Sequence, residues 1–343
     1  MTTTTMTPAA WESPPYSPVP ELPSPGLPSI KNRTRSRIRR LVLVASVFLG
    51  CAVFILFAFF LIVAWSFAHP SVPALQSNPL LAKGLMYEEV SFASQDGASE
   101  VSGWWIPASG ERTVVLSHGY GTNREEAWVP MYDIASMLHG QGYNVLMFDY
   151  GYADSANRLP ATGGVSESQQ LLGALQLAKE KGGGELVVWG FSMGAGTALQ
   201  AALQTDLIDG MILDSTFLAD ADTIYANIRN YANLPKTPTV QLLSRFLPLF
   251  TGTRLSQIPS AQAQLTDYGI PILLIHGTED DKAPLSVSEN VAAAQTNPLS
   301  ELWLVPGAIH EMIYRTHPEE YVARTTAFLQ AIEAVGTGDT RAS

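Results

Sequence analysis

The sequence predicts an α/β domain, a mostly parallel central sheet flanked by helices and topped by a small helical cap, preceded by one transmembrane helix. Three observations predict it. From about residue 86 onward, short apolar runs rich in Val and Ile alternate with helical stretches, the pattern of strands joined by helical crossovers. One such run, Leu186 to Phe191, stops at G-F-S-M-G (Gly190 to Gly194) and passes directly into small helix formers through Ala202, a strand–turn–helix around G-x-S-x-G. Ahead of the domain, 27 residues from Leu41 to Phe67 carry no charge. At 1.5 Å per residue a helix of that length spans about 40 Å, more than the ~30 Å hydrocarbon core of a bilayer.

Residues 1–30 contain eight prolines among many Ser and Thr and too little apolar periodicity for a packed element, so they are expected to form a disordered arm. A solvated spacer outweighs a ligand for an SH3-like partner. Residues 31–40 form a basic segment with six Lys and Arg, and no further Lys or Arg occurs beyond the apolar run until Lys83. That one-sided charge places the N-terminus in the cytoplasm and the remaining chain outside it, with Trp65 and Phe67 at the far interface. The apolar run is about twice as long as a cleaved signal allows, and Phe48-Leu49-Gly50 is too bulky for a lipoprotein signal ending at Cys51. Arg39-Arg40 as a twin-arginine signal is weak, because such pairs are common beside anchors. Residues 68–85, with Pro70, Pro73 and Pro79, read as a stiff stalk, 86–335 as the folded domain and 336–343 as a flexible tail.

Within the domain, Glu88–Ala93 and Val101–Pro107 flank the turn Gln95-Asp96-Gly97 and predict an opening hairpin. Thr113–Ser117 and Tyr143–Asp149 are buried strands; between them Asn123 caps a helix running to Gly140. Ser166 and Gln169 form a capping box for a helix that ends at Gly182 to Gly184. After the G-x-S-x-G unit come strands at Met211–Asp214, Ile272–His276 and Leu302–Val305, then a helix with Tyr321, Thr325, Phe328 and Ile332 on one face. Residues 217–268 interrupt the alternation with helical stretches around Ala221–Tyr231 and Val240–Phe250. This insertion is expected to sit as a cap above the C-terminal strand edges, where open α/β sheets bind ligands.

The net charge is −11, but the first 40 residues carry six basic and two acidic side chains, leaving the remainder near −15, which argues against a nucleic-acid partner for the main body. The single cysteine, Cys51, excludes an intrachain disulfide and a thiolate metal cluster.

A serine on a tight strand-to-helix turn needs neighbours without bulk two positions to either side, and Gly190 and Gly194 supply them. Ser192 is therefore the candidate nucleophile, and the Met193 N–H, opening the next helix, a candidate oxyanion donor. The base and its orienting acid should follow at later strand ends. The strand ending at His276 runs into Gly-Thr-Glu-Asp-Asp, giving Asp280, and the strand ending at Val305 runs into Pro-Gly-Ala-Ile-His, giving His310. Of the other histidines, His118 and His276 precede glycines at strand ends and read as structural. Asp281 shares the acidic turn, and Asp214 ends the strand after the serine; both compete with Asp280. The glycine-flanked loop His118-Gly119-Tyr120-Gly121 offers the Tyr120 N–H as a second oxyanion donor. No P-loop ending and no H-E-x-x-H is present, so no cofactor and no metal is expected.

Taken together, H-G-Y-G-T-N-R-E at His118, F-D-Y at Phe148, G-F-S-M-G-A at Gly190, L-D-S-T-F at Leu213, H-G-x-x-D-x-x-x-P at His276 and G-x-x-H at Gly307 resemble the α/β-hydrolase superfamily. The likeness is greatest to its single-pass, membrane-anchored members related to the serine aminopeptidase-like and Bem46-like hydrolases. It implies the α/β-hydrolase fold and a triad of Ser192, Asp280 and His310. Gly151-Tyr152-Ala153-Asp154 departs from the arginine and glycine-serine turn usual after F-D-Y, and Ala283 from the usual Val, which leaves the substrate pocket open. The expected activity is cleavage of carboxylic esters, lipid or acyl esters among them. Aminopeptidase-like, thioesterase and acyltransferase activities on the same residues, and a catalytically silent scaffold, are the alternatives.

Overall fold

The computed structural model describes residues 1–3, 5, 13–18, 20, 30–154 and 158–339. The described residues of the arm before Ile30 lie outside regular secondary structure, and the rest of the arm falls outside the described residues. The chain divides into two units, Met1–Leu56 and Phe57–Ser343. The helix α1 (Ile30–Ala68) takes in the basic segment, and its stretch Thr34–Ala68, which reaches a mean hydropathy of 3.0 over an 18-residue window, is long and apolar enough to cross a membrane. Side chains such as Leu49, Phe54 and Ile55 are exposed along it, as is the lone Cys51.

Residues 68–85, expected as a stalk, lie along the domain instead. The Ala161 N–H donates to the Ala68 carbonyl at 2.7 Å and the Asn123 amide to that of Pro73 at 2.9 Å. The Glu125 carboxylate accepts the N–H groups of Gln76 and Ser77, and Val72 packs against the core. The prolines hold this segment extended, which suits a strip of chain lying on a surface as well as a free spacer. It ends in a one-turn helix, α2 (Pro79–Lys83), capped by the Asn78 side chain, with Gly84 in the left-handed conformation behind it.

Eight strands form one sheet: β1 (Glu88–Ala93), β2 (Glu100–Ile106), β3 (Thr113–Ser117), β4 (Asn144–Phe148), β5 (Leu186–Phe191), β6 (Gly210–Asp214), β7 (Ile272–Gly277) and β8 (Glu301–Val305). Their order is β1-β2-β4-β3-β5-β6-β7-β8, antiparallel where β2 meets β1 and β4 and parallel from β4 through β8. The chain crosses from β4 back over β3 to β5, so the sheet's winding reverses between β3 and β5. Loops leave a switch point in opposite directions and open a crevice at the strand C-termini. Ser192 follows β5 and His118 follows β3, so both stand at that crevice.

The interior strands alternate side chains between two buried layers. Val188, Met211, Leu213 and Leu274 face α4 (Val165–Gly182), α5 (Met193–Ala202) and α9 (Leu285–Ala294). Val187, Trp189, Ile212 and Ile275 face α3 (Met131–Gly140) and α11 (Pro318–Asp339). Tyr321, Phe328 and Ile332 are buried on the inner face of α11, which continues as helix to Asp339 through part of the expected tail; residues 340–343 fall outside the described residues. The short α10 (Ile313–Thr316) precedes it.

Two helix starts differ from expectation. Helix α3 begins at Met131, and Asn123 instead sits in the preceding loop, where its side chain accepts the Glu125 N–H. Helix α4 begins at Val165, with Gly164 as the cap residue and Glu167 reaching back to the Gly164 N–H, displacing the Ser166–Gln169 pairing by two residues. At α3 a tertiary contact supersedes the local signal, and at α4 the turn just before the helix does. Arg124, next to Asn123, is buried against Asp149 at 2.9 Å, and Glu167 also holds Thr162.

The insertion supplies α6 (Ala221–Arg229), α7 (Lys236–Thr251) and a 3₁₀ turn at Leu255–Gln257, which form the cap. Its last helix, α8 (Ser260–Leu265), returns to the sheet: Ala263 joins the α5 layer and the Tyr268 hydroxyl donates to Leu199 O. The end of α1 packs here too. Phe60 and Ala64 are buried with Ile224, Leu243 and Leu247, against α6 and α7.

Candidate active site

At the end of β5 the backbone turns at Ser192 with φ +48° and ψ −114°, a conformation that costs a non-glycine residue about 1–3 kcal/mol. Three backbone hydrogen bonds hold it: Ser192 N–H to Asp214 O at 2.9 Å, and Ser192 O from the N–H groups of Gly196 and Phe217 at 3.1 Å. The flanking glycines are set by close approach. A Cβ on Gly190 would come 2.6 Å from Ala195 Cα, and one on Gly194 would strike the Ser117 carbonyl oxygen. The turn can therefore close only where both positions lack a side chain.

His310 Nε2 lies 2.8 Å from Ser192 Oγ, and His310 Nδ1 lies 2.7 Å from Asp280 Oδ2. Asp280 is fixed in the turn after β7 because its other oxygen accepts the N–H groups of Lys282 (2.9 Å) and Ala283 (2.8 Å). With Nδ1 donating to the carboxylate, Nε2 is left to accept the serine proton. Burial is the largest single effect on His310 and opposes its charge. The Asp280 hydrogen bond and the charges of Glu311 and Asp280 together outweigh it and hold the imidazole above its ordinary value of 6.5. Burial also opposes the Asp280 charge, but its hydrogen bonds and the facing imidazole keep its carboxyl below the usual range.

The competing acids stand apart from the imidazole nitrogens. Asp281 is exposed. Asp214 accepts the Tyr321 hydroxyl at 2.7 Å and the Ser215 hydroxyl at 2.9 Å, and burial pushes it up to about 7. His118 and His276 are fully buried and serve the scaffold: His118 accepts the Tyr150 N–H and donates to Gly119 O, while His276 joins Ser288 Oγ to Ala283 O. Burial pushes His118 down to about 4, so it stays neutral.

Tyr120 and Met193 line the same cavity as Ser192 and His310. Met193 opens α5, where the first N–H groups have no partner within the helix. The Tyr120 loop is pinned from two sides. Tyr152, in the turn that departs from the family pattern, donates its hydroxyl to Gly119 O at 2.7 Å, and the Tyr120 hydroxyl donates to Phe67 O at 2.9 Å.

One cluster escaped the sequence reading. Glu126 and Glu311, 185 positions apart, are both buried beside Gly119, and either would crowd a Cβ placed there. Glu126 accepts the Gly119 N–H at 2.9 Å, and Glu311 accepts the Trp128 indole N–H at 2.6 Å. Glu126 Oε2 and Glu311 Oε1 are buried with no donor to accept from, and a proton held on Glu126 lets its carboxyl donate to that of Glu311. Burial first and the Glu311 charge second raise Glu126 well above the ordinary carboxyl value. Glu311 Oε2 lies 3.8 Å from His310 Nε2, which is how its charge reaches the imidazole. The sequence clue was Glu311 itself, next to the candidate base, but nothing near it named its partner.

The cavity measures about 520 Å³, inside the usual range for a small-molecule site. Ser192, Met193, His310 and Tyr120 line it together with the apolar Ile224 and Ile228 of α6, Leu247 of α7, Leu255, Ile258 and Phe67 of α1, and polar side chains including Thr162, Asn227, Asn230, Asp281 and Lys282 complete the wall. Among the described residues no group of three His, Cys, Asp or Glu is placed to hold a metal ion.

Comparison with known proteins adds the family. The model of a family described as the alpha/beta hydrolase family matches residues 114–324. The protein YfhR of Escherichia coli (strain K12) is 28% identical over 233 residues, 65% of this chain and 73% of YfhR. YqkD of Bacillus subtilis is 26% identical over 235 residues, 67% of this chain and 75% of YqkD. Among solved structures, the esterase Pf2001 of Pyrococcus furiosus superposes with a TM-score of 0.62 at 24% identity, over 78% of this chain and 98% of Pf2001. At that identity the likeness speaks for the fold.

Proposed function

The chain belongs to the alpha/beta hydrolase family, and from that premise we propose that it is a membrane-anchored serine hydrolase that cleaves carboxylic esters. The observation carrying this reading is the continuous chain Ser192 Oγ–His310–Asp280, at 2.8 and 2.7 Å, on a strained turn that lines a cavity. Ser192 Oγ attacks the ester carbonyl while its proton passes to His310 Nε2. The resulting imidazolium is paired with Asp280, and the oxyanion is met by the N–H groups of Met193 and Tyr120. Collapse breaks the bond to the leaving alcohol, which takes the proton from His310. Water then repeats the sequence on the acyl-enzyme, releasing the acid and restoring Ser192. Helix α1 holds the domain at a membrane with the basic segment on the cytoplasmic side and the hydrolase domain outside, a reading that the one-sided charge supports.

The test is covalent labelling by a fluorophosphonate, followed by turnover on esters, thioesters and aminoacyl amides of matched size. Labelling and ester turnover should both vanish in Ser192→Ala. Ester hydrolysis that survives this substitution, or amide turnover exceeding ester turnover, would refute the proposal.

A further inference from the structure

The end of the apolar helix is part of the cavity wall. Counted from Leu41, just past the last basic residue, twenty residues at 1.5 Å each fill the ~30 Å hydrocarbon thickness and end at Phe60. From Phe60 to Phe67 the same helix rises only about 10 Å, roughly the depth of the headgroup layer. Over those turns it is built into the domain: Phe60 and Ala64 pack on α6 and α7, and the carbonyls of Ser66 and Phe67 accept the Tyr120 hydroxyl. Phe67 then lines the cavity that holds Ser192 and His310. On that count the end of the helix that would emerge from the hydrocarbon is also the part whose Phe67 forms one side of the cavity.

The charge of the cap points the same way. The domain is strongly acidic, yet residues 223–266 contain four basic side chains and no acidic one. Lys236 is paired with Asp222, while Arg229, Arg245 and Arg254 are exposed, on the elements that pack against the end of α1 or line the cavity beside it. A basic surface next to a spanning helix is attracted to anionic lipid headgroups. Leu249, exposed on α7, adds an apolar contact on the same element.

We infer that the cavity is an acyl-chain site and that its substrate is a long-chain ester resident in the bilayer, admitted from the lipid beside the end of α1. The inference rests on the hydrolase reading and names its substrate class. The apolar wall formed by Phe67, Ile224, Ile228, Leu247, Leu255 and Ile258 receives the chain, and the ester carbonyl comes to Ser192. Each methylene moved from water into such a wall strengthens binding about fourfold. A chain already dissolved in lipid gains no comparable drive, so the membrane matters by presenting the ester at the right depth.

The experiment uses the full chain reconstituted in vesicles of phosphatidylcholine and phosphatidylglycerol. Its substrates are a fluorogenic oleate ester dissolved in the bilayer and the water-soluble acetate of the same fluorophore. Oleate in the same vesicles as the protein should be hydrolysed at least about tenfold faster than oleate supplied in separate, protein-free vesicles. Ile228→Trp and Leu255→Trp, on two different elements, place an indole where the chain would lie, and the overpacking this forces should each time lower the oleate-to-acetate ratio about tenfold. Thermal melting identifies which of the two is folded and so informative. Oleate turned over equally from separate vesicles, a ratio unmoved in a folded variant, or no oleate turnover while acetate hydrolysis still depends on Ser192, overturns the inference and leaves the hydrolase reading standing. Acetate hydrolysis indifferent to Ser192→Ala overturns that reading instead.

Discussion

Replacing Asp280 by Asn tests the proposed site at its most informative atom. Asp280 uses one oxygen for the backbone N–H groups of Lys282 and Ala283 and the other for His310 Nδ1. Asn has one oxygen, and the two N–H donors will claim it, since the turn would otherwise leave both unsatisfied. The amide NH₂ then faces Nδ1, which must become an acceptor, and the imidazole proton moves to Nε2. In that tautomer Nε2 donates toward Ser192 and cannot take its proton. The negative charge that pairs with the imidazolium is lost as well. A change of this kind lowers kcat by as much as ~10⁴-fold, about 5.4 kcal/mol of transition-state stabilisation. Because the turn keeps both backbone hydrogen bonds, folding should hardly change. The comparison is Asp214→Asn: this carboxyl is occupied by Tyr321 and Ser215 and is pushed up to about 7, so an amide resembles its protonated form. Pre-steady-state acylation and melting curves on Asp280→Asn, Asp281→Asn and Asp214→Asn decide it. Expected are the large loss in the first at unchanged Tm, under about tenfold in the second, and in the third only losses that follow Tm. If Asp214→Asn abolishes acylation in a normally melting protein while Asp280→Asn remains active, the assignment of the acid is refuted.

Acylation should rise with pH through an apparent value above 6.5, because His310 accepts a proton only when neutral and its neighbours favour the charged form. Glu311→Gln removes one of those neighbouring charges and should move this limb to lower pH; a limb that stays in place would detach Glu311 from the base. Glu126 has a folded value above its unfolded one, so it favours folding at low pH and loses that contribution as pH rises toward the folded value. Denaturant melts of Glu126→Gln and the parent should therefore diverge in the variant's favour with rising pH, by up to about 1.4 kcal/mol per pH unit, and parallel curves would argue against the bound proton. Gly194→Ala places a Cβ against the Ser117 and His118 carbonyls and should destabilise the protein by about 1–3 kcal/mol in thermal melts, with loss of fluorophosphonate labelling. A reporter fused after Ser343 should be active only if it is of a kind that works outside the cytoplasm.

What could be read in the sequence was what local pattern determines. The alternation of strands and helices, and the spacing from Gly190 to Gly194, depend on residues a few positions apart, and the fold places Ser192, Asp280 and His310 after the ends of β5, β7 and β8 because a parallel sheet puts every such end on one edge. Two of the misread elements yield to a partner distant in sequence. Asn123 gives up a helix start because Arg124 beside it is drawn to Asp149, whose carboxylate also takes the Arg124 N–H at 2.7 Å. The prolines of 68–85 suggest a spacer, but Glu125 and Asn123 bind that segment to the domain.

The same reasoning adds to the end of α1 a role that composition does not give it. By composition alone Trp65 and Phe67 belong at a membrane interface, since both are aromatic and close the apolar run. Trp65 is exposed and stacks on His69. Phe67 differs because the Tyr120 hydroxyl, on the loop after β3, takes its carbonyl and the cap packs on the turn before it. One residue therefore lies on the long apolar helix and lines the cavity, while Tyr120 both ties down that helix and carries the proposed oxyanion donor. A shift of the helix end would be felt first at Tyr120, through one hydrogen bond, and then at the acyl oxygen. Tyr120→Phe removes that bond and leaves the ring in place, at a net cost of about 0.5–1.5 kcal/mol. If the coupling is real, its effect should fall on kcat for bilayer-borne esters more than on KM, whereas a purely structural hydroxyl would lower Tm and leave kcat unchanged in the folded fraction.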